Sequence, residues 1–223
     1  MTDGGVRDVE TVREMGFHYF ASGTVAARGN FGFHEVQVPV ELTRLKPRIR
    51  SKAEVFVMNA GNGGLGGRNG TQELLDALQH VKSPIKLILR TQTEFLAFRG
   101  ITDPRVDLRV GTFDDIWSEG DVFIFPEAFN GLSLPLQEAY ACGMAVMCGD
   151  RYPMNTWLPK EPLIPVDNYR KESIAVEFDF AEFSPETIAK HIDSWYGRDI
   201  VELSKQGIAW GLENEWKKLK PKY

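Results

Sequence analysis

The chain has 223 residues, 43% hydrophobic, 11% aromatic and 26% charged, which is enough apolar material to bury a core in one large domain and excludes intrinsic disorder. Lys and Arg number 26 against 31 Asp and Glu, and a net charge of -5 repels polyanions, so nucleic acid is not an expected target.

The N-terminus, MTDGGVRDVETVRE, carries acids where an export signal would carry bases and an apolar block. Residues 1–35 read as an extension without assignable elements, apart from an alternating edge or linking strand at 34–40 (HEVQVPV). From residue 52 onward, short aliphatic runs alternate with helical patterns, the rhythm of a parallel sheet. Strands are expected at 55–59, 85–89, 106–110, 121–125 and 145–148, continuous in hydrophobicity as strands covered on both faces are, with a weaker sixth at 163–166. Between the first two, Leu74, Leu75, Leu78 and Val81 recur at helical spacing and predict a helix over 71–82. Asp114 and Asp115 read as the cap of a short helix ending at Glu119. A further helix should begin near Pro135 and stop before Gly143.

Cys142 and Cys148 fall inside the apolar run 139–148 and read as reduced core thiols. That run is the longest apolar stretch and reaches about half the length of a membrane span, so a cytoplasmic protein without a transmembrane segment is expected. Ser184-Pro185-Glu186 opens a surface helix to residue 195. Residues 200–222 predict one long amphipathic helix with Ile208, Leu212, Trp216, Leu219 and Tyr223 on its apolar line, and Trp195, Trp210 and Trp216 as anchors to the sheet. The lysines at 217, 218, 220 and 222 read as a solvated helix end. The whole is an α/β chain: one doubly wound, Rossmann-like parallel sheet over 36–199 with C-terminal amphipathic helices.

Two segments could carry chemistry. The cluster Gly61-Asn62-Gly63-Gly64-Leu65-Gly66-Gly67 follows the first strand at the sheet edge where such folds bind ligands. Its glycines let backbone amides approach phosphate oxygens, and Arg68 adds a fixed cation. GNGGLG also matches the G-x-G-x-x-G dinucleotide fingerprint, and Arg90 at the end of the second strand would suit a 2′-phosphate, which keeps an NADP-dependent oxidoreductase open. The second segment, 121–149, reads strand, loop, helix, strand, with Asn130-Gly131-Leu132-Ser133 just ahead of the helix. Glu138 lies in the first turns of that helix, where a carboxylate either accepts hydrogen bonds from vicinal hydroxyls or simply complements the helix dipole. His18, His34, His80 and His191 lack ligand spacing, and no metal is expected.

The string DVFIFPEAFNGLSLPLQEAYACGMAVMCG resembles the donor-binding signature of retaining glycosyltransferases with the GT-B architecture, the glycogen-synthase-like group. Residues 121–126 match its strand, Gly131 and Leu134 its loop, Glu138, Ala139, Ala141 and Gly143 its helix, and Val146 its next strand. Val38-Pro39-Val40 with Leu45-Lys46-Pro47 resembles the entry into that family's C-terminal domain, and Gly67-Arg68-Asn69-Gly70 its Lys-Gly helix opening. The resemblance implies a C-terminal, donor-binding half that transfers a sugar from a UDP- or GDP-sugar with retention and without a further cofactor. Glu138 would grip the ribose. Arg68, with amides of Gly63, Gly64, Leu132, Ser133 and Leu134, would stabilise the departing diphosphate.

The sequence departs from the family at two points. The first signature Glu, eight residues before the second, falls on Asn130, while Glu127 lies three residues too early. The chain also has room for one of the family's two domains, so either it is a C-terminal half, excised or naturally compact, or a homodimer mate or a partner chain would supply the acceptor side. A non-catalytic nucleotide-sugar-binding or assembly module is therefore the alternative.

Overall fold

In a computed structural model, residues 14–15, 20–21, 34–35, 37–61, 68–92, 98, 100–111, 114–130, 133–174 and 176–222 are described. Among them, β1 (Val55–Gly61), β2 (Lys86–Thr91), β3 (Val106–Val110), β4 (Val122–Phe125) and β5 (Ala145–Cys148) form one parallel sheet in the order β3-β2-β1-β4-β5. Each of the five expected runs yields one of these strands. Every residue of β4 and β5 is buried, which is why both read as unbroken apolar runs. The strand order reverses between β1 and β4, and that reversal opens a crevice at their carboxyl ends.

The helices are α1 (Thr71–Ala77), α2 (Leu134–Ala141), α3 (Pro185–Trp195), α4 (Val201–Glu213) and α5 (Trp216–Leu219). α1 starts directly after Gly70, whose φ is +74° and where a Cβ would lie 2.1 Å from the Pro126 carbonyl oxygen. Only glycine lets the start of α1 close on the end of β4 in this way. The expected helix over 71–82 ends early: Gln79 and His80 bond back over three residues in tight turns, although Leu78 and Val81 stay in the core. α3 matches its capping signature, since Ser184 Oγ accepts the Thr187 N–H.

Several expectations are corrected. The helix over 200–222 breaks at Asn214, whose side-chain amide donates to the Trp210 carbonyl and whose own carbonyl is taken by the Val40 N–H. α4 buries small residues, Ser204, Gly207 and Gly211, and leaves Leu212 exposed, as is Trp216 at the start of α5. The reason is a close approach to α2: a Cβ on Gly207 would meet the Tyr140 carbonyl at 2.2 Å, and one on Gly211 the Ala141 Cβ at 2.7 Å. Trp195 is buried and Trp210 stacks on Trp157 at 5.2 Å, whereas Trp216 is largely exposed. In place of a strand at 163–166 there is a single bridge from Ile164 to Gly149, and residues 114–119 form bends rather than a short helix. The strand over 34–40 reduces to a two-residue pairing of 34–35 with 20–21 and an isolated bridge at Val40.

An antiparallel hairpin, β6 (Asn168–Ile174) and β7 (Val176–Glu182), was not anticipated. It docks on the loop after β4, where the Ala181 N–H donates to the Ala128 carbonyl at 2.8 Å and Phe180 stacks on Phe129 at 5.7 Å. No helix among the described residues is long and apolar enough to cross a membrane.

One buried cation ties these parts together. Arg50 is 1% exposed and donates to the carbonyls of Gly120, Arg48, Trp117 and Cys142, while its own N–H reaches Ser204 Oγ on α4. Among the described residues no carboxylate pairs with it. Burial, followed by the neighbouring Arg48, pulls its pKa down to about 10, so the guanidinium remains charged at neutral pH. Arg50→Met removes a donor from each of these carbonyls, of which those of Gly120, Cys142 and Arg48 keep a weaker second donor in Arg48 or Ser204. The expected loss is about 3 kcal/mol, read as a fall in Tm of about 6–12 °C, and Arg50→Lys should recover only part of it because an ammonium has fewer donors in less suitable directions.

Candidate donor site at the carboxyl edge of the sheet

The crevice between β1 and β4 holds a cavity of about 520 Å³. Asn59 and Gly61 line it from β1, Arg68 and Asn69 from the approach to α1, Arg90, Thr91 and Gln92 from the end of β2, and Asn130, Ser133, Leu134 and Pro135 from the start of α2. Among the described residues the lining includes two arginines and no acidic side chain. The loops carrying Arg68 and Asn130 are tied by the Ala128 N–H, which donates to the Arg68 carbonyl at 2.8 Å. Arg90 is almost wholly buried, donates to the Ile116 carbonyl and pairs with Glu119 at 3.2 Å, and burial lowers its pKa.

Of the residues singled out from sequence, Arg68, Asn130, Ser133 and Leu134 thus share one cavity. Gly63, Gly64, Gly131 and Leu132 lie outside the described residues. Glu138 opens into a second cavity of about 250 Å³, which it shares with Arg44, Leu45, Asp114, Asp115 and Trp117. Ile116 lines both cavities and forms the wall between them. Glu138 Oε2 accepts the indole N–H of Trp117 at 3.1 Å, and Oε1 faces Arg44 Nη2 at 3.3 Å. Asp115 pairs with Lys46 at 3.0 Å. The two cavities therefore adjoin at the same sheet edge with opposite character, arginine-lined in one and carboxylate-bearing in the other. No described histidine lines either cavity.

Ser133 sits at the N-cap of α2 with φ +45°, the one described non-glycine residue in the left-handed region. It does not cap with its hydroxyl, which is buried and has no hydrogen-bond partner. Its N–H is taken instead by Asn130 Oδ1 at 3.0 Å. The Asn130 carbonyl oxygen is therefore spent on shaping the loop, and its NH2 group is the end left for a ligand. Strain of this kind concentrates where a loop is held in a functional shape.

Glu127, three residues too early for the signature Glu, has a place in the site that its sequence position does not give. It is fully buried beneath the loop, and neither carboxylate oxygen has a hydrogen-bond partner. Arg151 Nη2 lies 3.6 Å from Oε1, an ionic contact too long for a hydrogen bond. The same guanidinium donates to the carbonyls of Tyr152 at 2.9 Å, Asn130 at 3.3 Å and Glu127 at 3.4 Å. Burial pushes the Glu127 pKa up to about 8 against the opposing pull of Arg151 and Arg68. No local pattern announces a pair 24 residues apart.

With this geometry in view, the chain is similar to solved structures of GT-B glycosyltransferases. A glycosyltransferase from Rickettsia africae ESF-5 superposes with a TM-score of 0.72 at 12% identity, over 100% of this chain and 65% of that one. Anabaena HepE in complex with UDP and glucose gives 0.64 at 11% identity, over 97% and 65%. The pneumococcal O-GlcNAc transferase GtfA in complex with UDP and GlcNAc gives 0.60 at 14%, over 97% and 42%. The chain thus spans about two thirds or less of the length of these proteins, and the likeness establishes a Rossmann-like fold of the GT-B kind. A family model described as RraA-like, Aldolase/RraA, matches residues 1–55, most of which precede the sheet. No curated protein matches the chain.

Two predictions concern the loop. Because the folded-state pKa of Glu127 is raised from 4.5 to about 8, the folded chain holds a proton there that the unfolded chain releases, so the contribution of this group falls as pH rises across that window. Unfolding of Glu127→Gln, compared with the unaltered protein from pH 5 to 8.5, should show the variant gaining relative stability with pH. Ser133→Gly should relieve the left-handed strain and raise stability by about 1 kcal/mol in denaturant titration.

Proposed function

We propose that the chain binds a nucleotide-diphosphate sugar and acts as a retaining glycosyltransferase, or as its donor-binding half. The observation that carries this reading is the pair of adjoining cavities, arginine-lined and, among the described residues, free of acids on one side of Ile116, carboxylate-bearing on the other. A diphosphate suits the first, where Arg68 supplies a bidentate cation; a ribose suits the second, where Glu138 accepts from its vicinal hydroxyls. The ligands named for HepE and GtfA, UDP with glucose and UDP with GlcNAc, belong to those proteins and support the same class of ligand here.

The chemistry asked of the protein is modest. The bond between the sugar's anomeric carbon and the diphosphate oxygen breaks, and Arg68 stabilises the charge that develops on the leaving group. The acceptor hydroxyl forms a new bond to the same carbon on the face the diphosphate leaves, and its proton passes to a phosphate oxygen. Asn130 orients the sugar through its NH2 group without bringing charge. The acceptor side lies outside these 223 residues, on a further part of a longer protein, a partner chain or a second copy, in a cytoplasmic setting. A dinucleotide reading is less favoured by the structure, because Arg90, the group that would meet a 2′-phosphate, is already engaged by the Ile116 carbonyl and Glu119.

Calorimetric titration with UDP, GDP and NADP tests the reading. UDP or GDP should bind, and Arg68→Ala and Glu138→Ala should each weaken that binding about tenfold or more. Binding of NADP alone would overturn the proposal. Binding of a nucleoside diphosphate with neither hydrolysis nor transfer of its sugar, even with candidate partner chains present, would reduce the protein to a non-catalytic module.

A further inference from the structure

The second cavity contains a residue to which neither the sequence pattern nor the family resemblance gives a role. We infer that Trp117 is a positioning residue, whose indole N–H fixes the Glu138 carboxylate in the orientation that receives a ribose diol. The inference rests on Glu138 being the ribose-holding group proposed above.

Trp117 is 2% exposed although it lies on an irregular stretch between two strands. Both of its ends are fixed. The ring packs edge-on against Phe123 of β4, with centroids 5.0 Å apart and planes at 84°, and the backbone carbonyl accepts from buried Arg50. An indole N–H held in this way has one direction to offer, and Glu138 Oε2 occupies it at 3.1 Å.

The stoichiometry then fits a diol. A carboxylate accepts along about four lone-pair directions, two per oxygen. Trp117 takes one on Oε2 and Arg44 one on Oε1, leaving one on each oxygen. Two neighbouring hydroxyls present two such donors. Arg44 is a weak determinant of this geometry, being 68% exposed and therefore mobile and screened, whereas Trp117 is immobile. Without the indole N–H the carboxylate turns freely about its terminal bond and has to be ordered each time a ligand binds.

Titration of UDP and GDP into a double-mutant cycle tests the inference. Trp117→Phe, which keeps an aromatic ring but lacks the donor, should weaken binding of whichever nucleotide binds by about fivefold to tenfold. Arg44→Ala should weaken it by about twofold or less. In a Glu138→Ala background, Trp117→Phe should have no further effect, a result that a general role in packing would not produce.

Unchanged affinity in Trp117→Phe beside a clear loss in Glu138→Ala overturns the positioning role alone. The same loss in both backgrounds also overturns it, since the residue then acts through the fold. Unchanged affinity in Glu138→Ala overturns the ribose reading, and the positioning role with it. Should Trp117→Phe not fold, NMR of the five indole N–H groups decides. One resonance should move strongly between the unaltered protein and Glu138→Ala, and absence of any such movement overturns the inference.

Discussion

A single buried guanidinium group reaches carbonyl oxygens from three separate stretches of chain, more than any other side chain named here. Arg50 binds the segment leading into the sheet, the bends before β4 and the C-terminal end of α2. Its backbone N–H also reaches Ser204 on α4. Charge buried without a carboxylate is costly unless dipoles surround it, and here carbonyl groups do. The Trp117 carbonyl is one of them, so the group that braces the fold also fixes one wall of the second cavity.

Electrostatic character is sorted on a short length scale. Ile116 separates an arginine-lined space from one bearing carboxylates, and a ligand with a charged middle and a hydroxylated end satisfies both. The loop between β4 and α2 takes its shape from polar contacts made within the protein. Asn130 takes the Ser133 N–H, and Arg151 collects carbonyls from Glu127 and Asn130. The hairpin of β6 and β7 stacks Phe180 on Phe129 of the same loop, so a segment remote in sequence buttresses the site.

The parallel sheet was legible because strands covered on both faces must be apolar throughout, and β4 and β5 are. The start of α2 and the capped start of α3 were legible from Pro135 and from Ser184-Pro185. α4 was misread because its segment carries two stripes, and the conspicuous one, through Leu212 and Trp216, is the exposed one. Ser204, Gly207 and Gly211 make the buried contact, and small residues leave almost no mark on a hydrophobicity pattern. The hairpin leaves one mark on the sequence, the alternation of Val176, Phe178 and Phe180. In the site, Arg68 and Asn130 could be placed at one sheet edge by topology alone. Trp117 with Glu138, and Glu127 with Arg151, are partners 21 and 24 residues apart, and no local periodicity connects such pairs.

The contact of Gly70 with Pro126 sets a dimension of the molecule. There the main chain of one loop rests on the main chain of the other, and the space between them is narrower than a methyl group. A gap spanned by two side chains can widen or narrow as those residues are exchanged over generations, whereas one closed by backbone against backbone has no such freedom. The breadth of the crevice is thus fixed by a missing atom, and variation in what it accommodates must come from the residues along its rim.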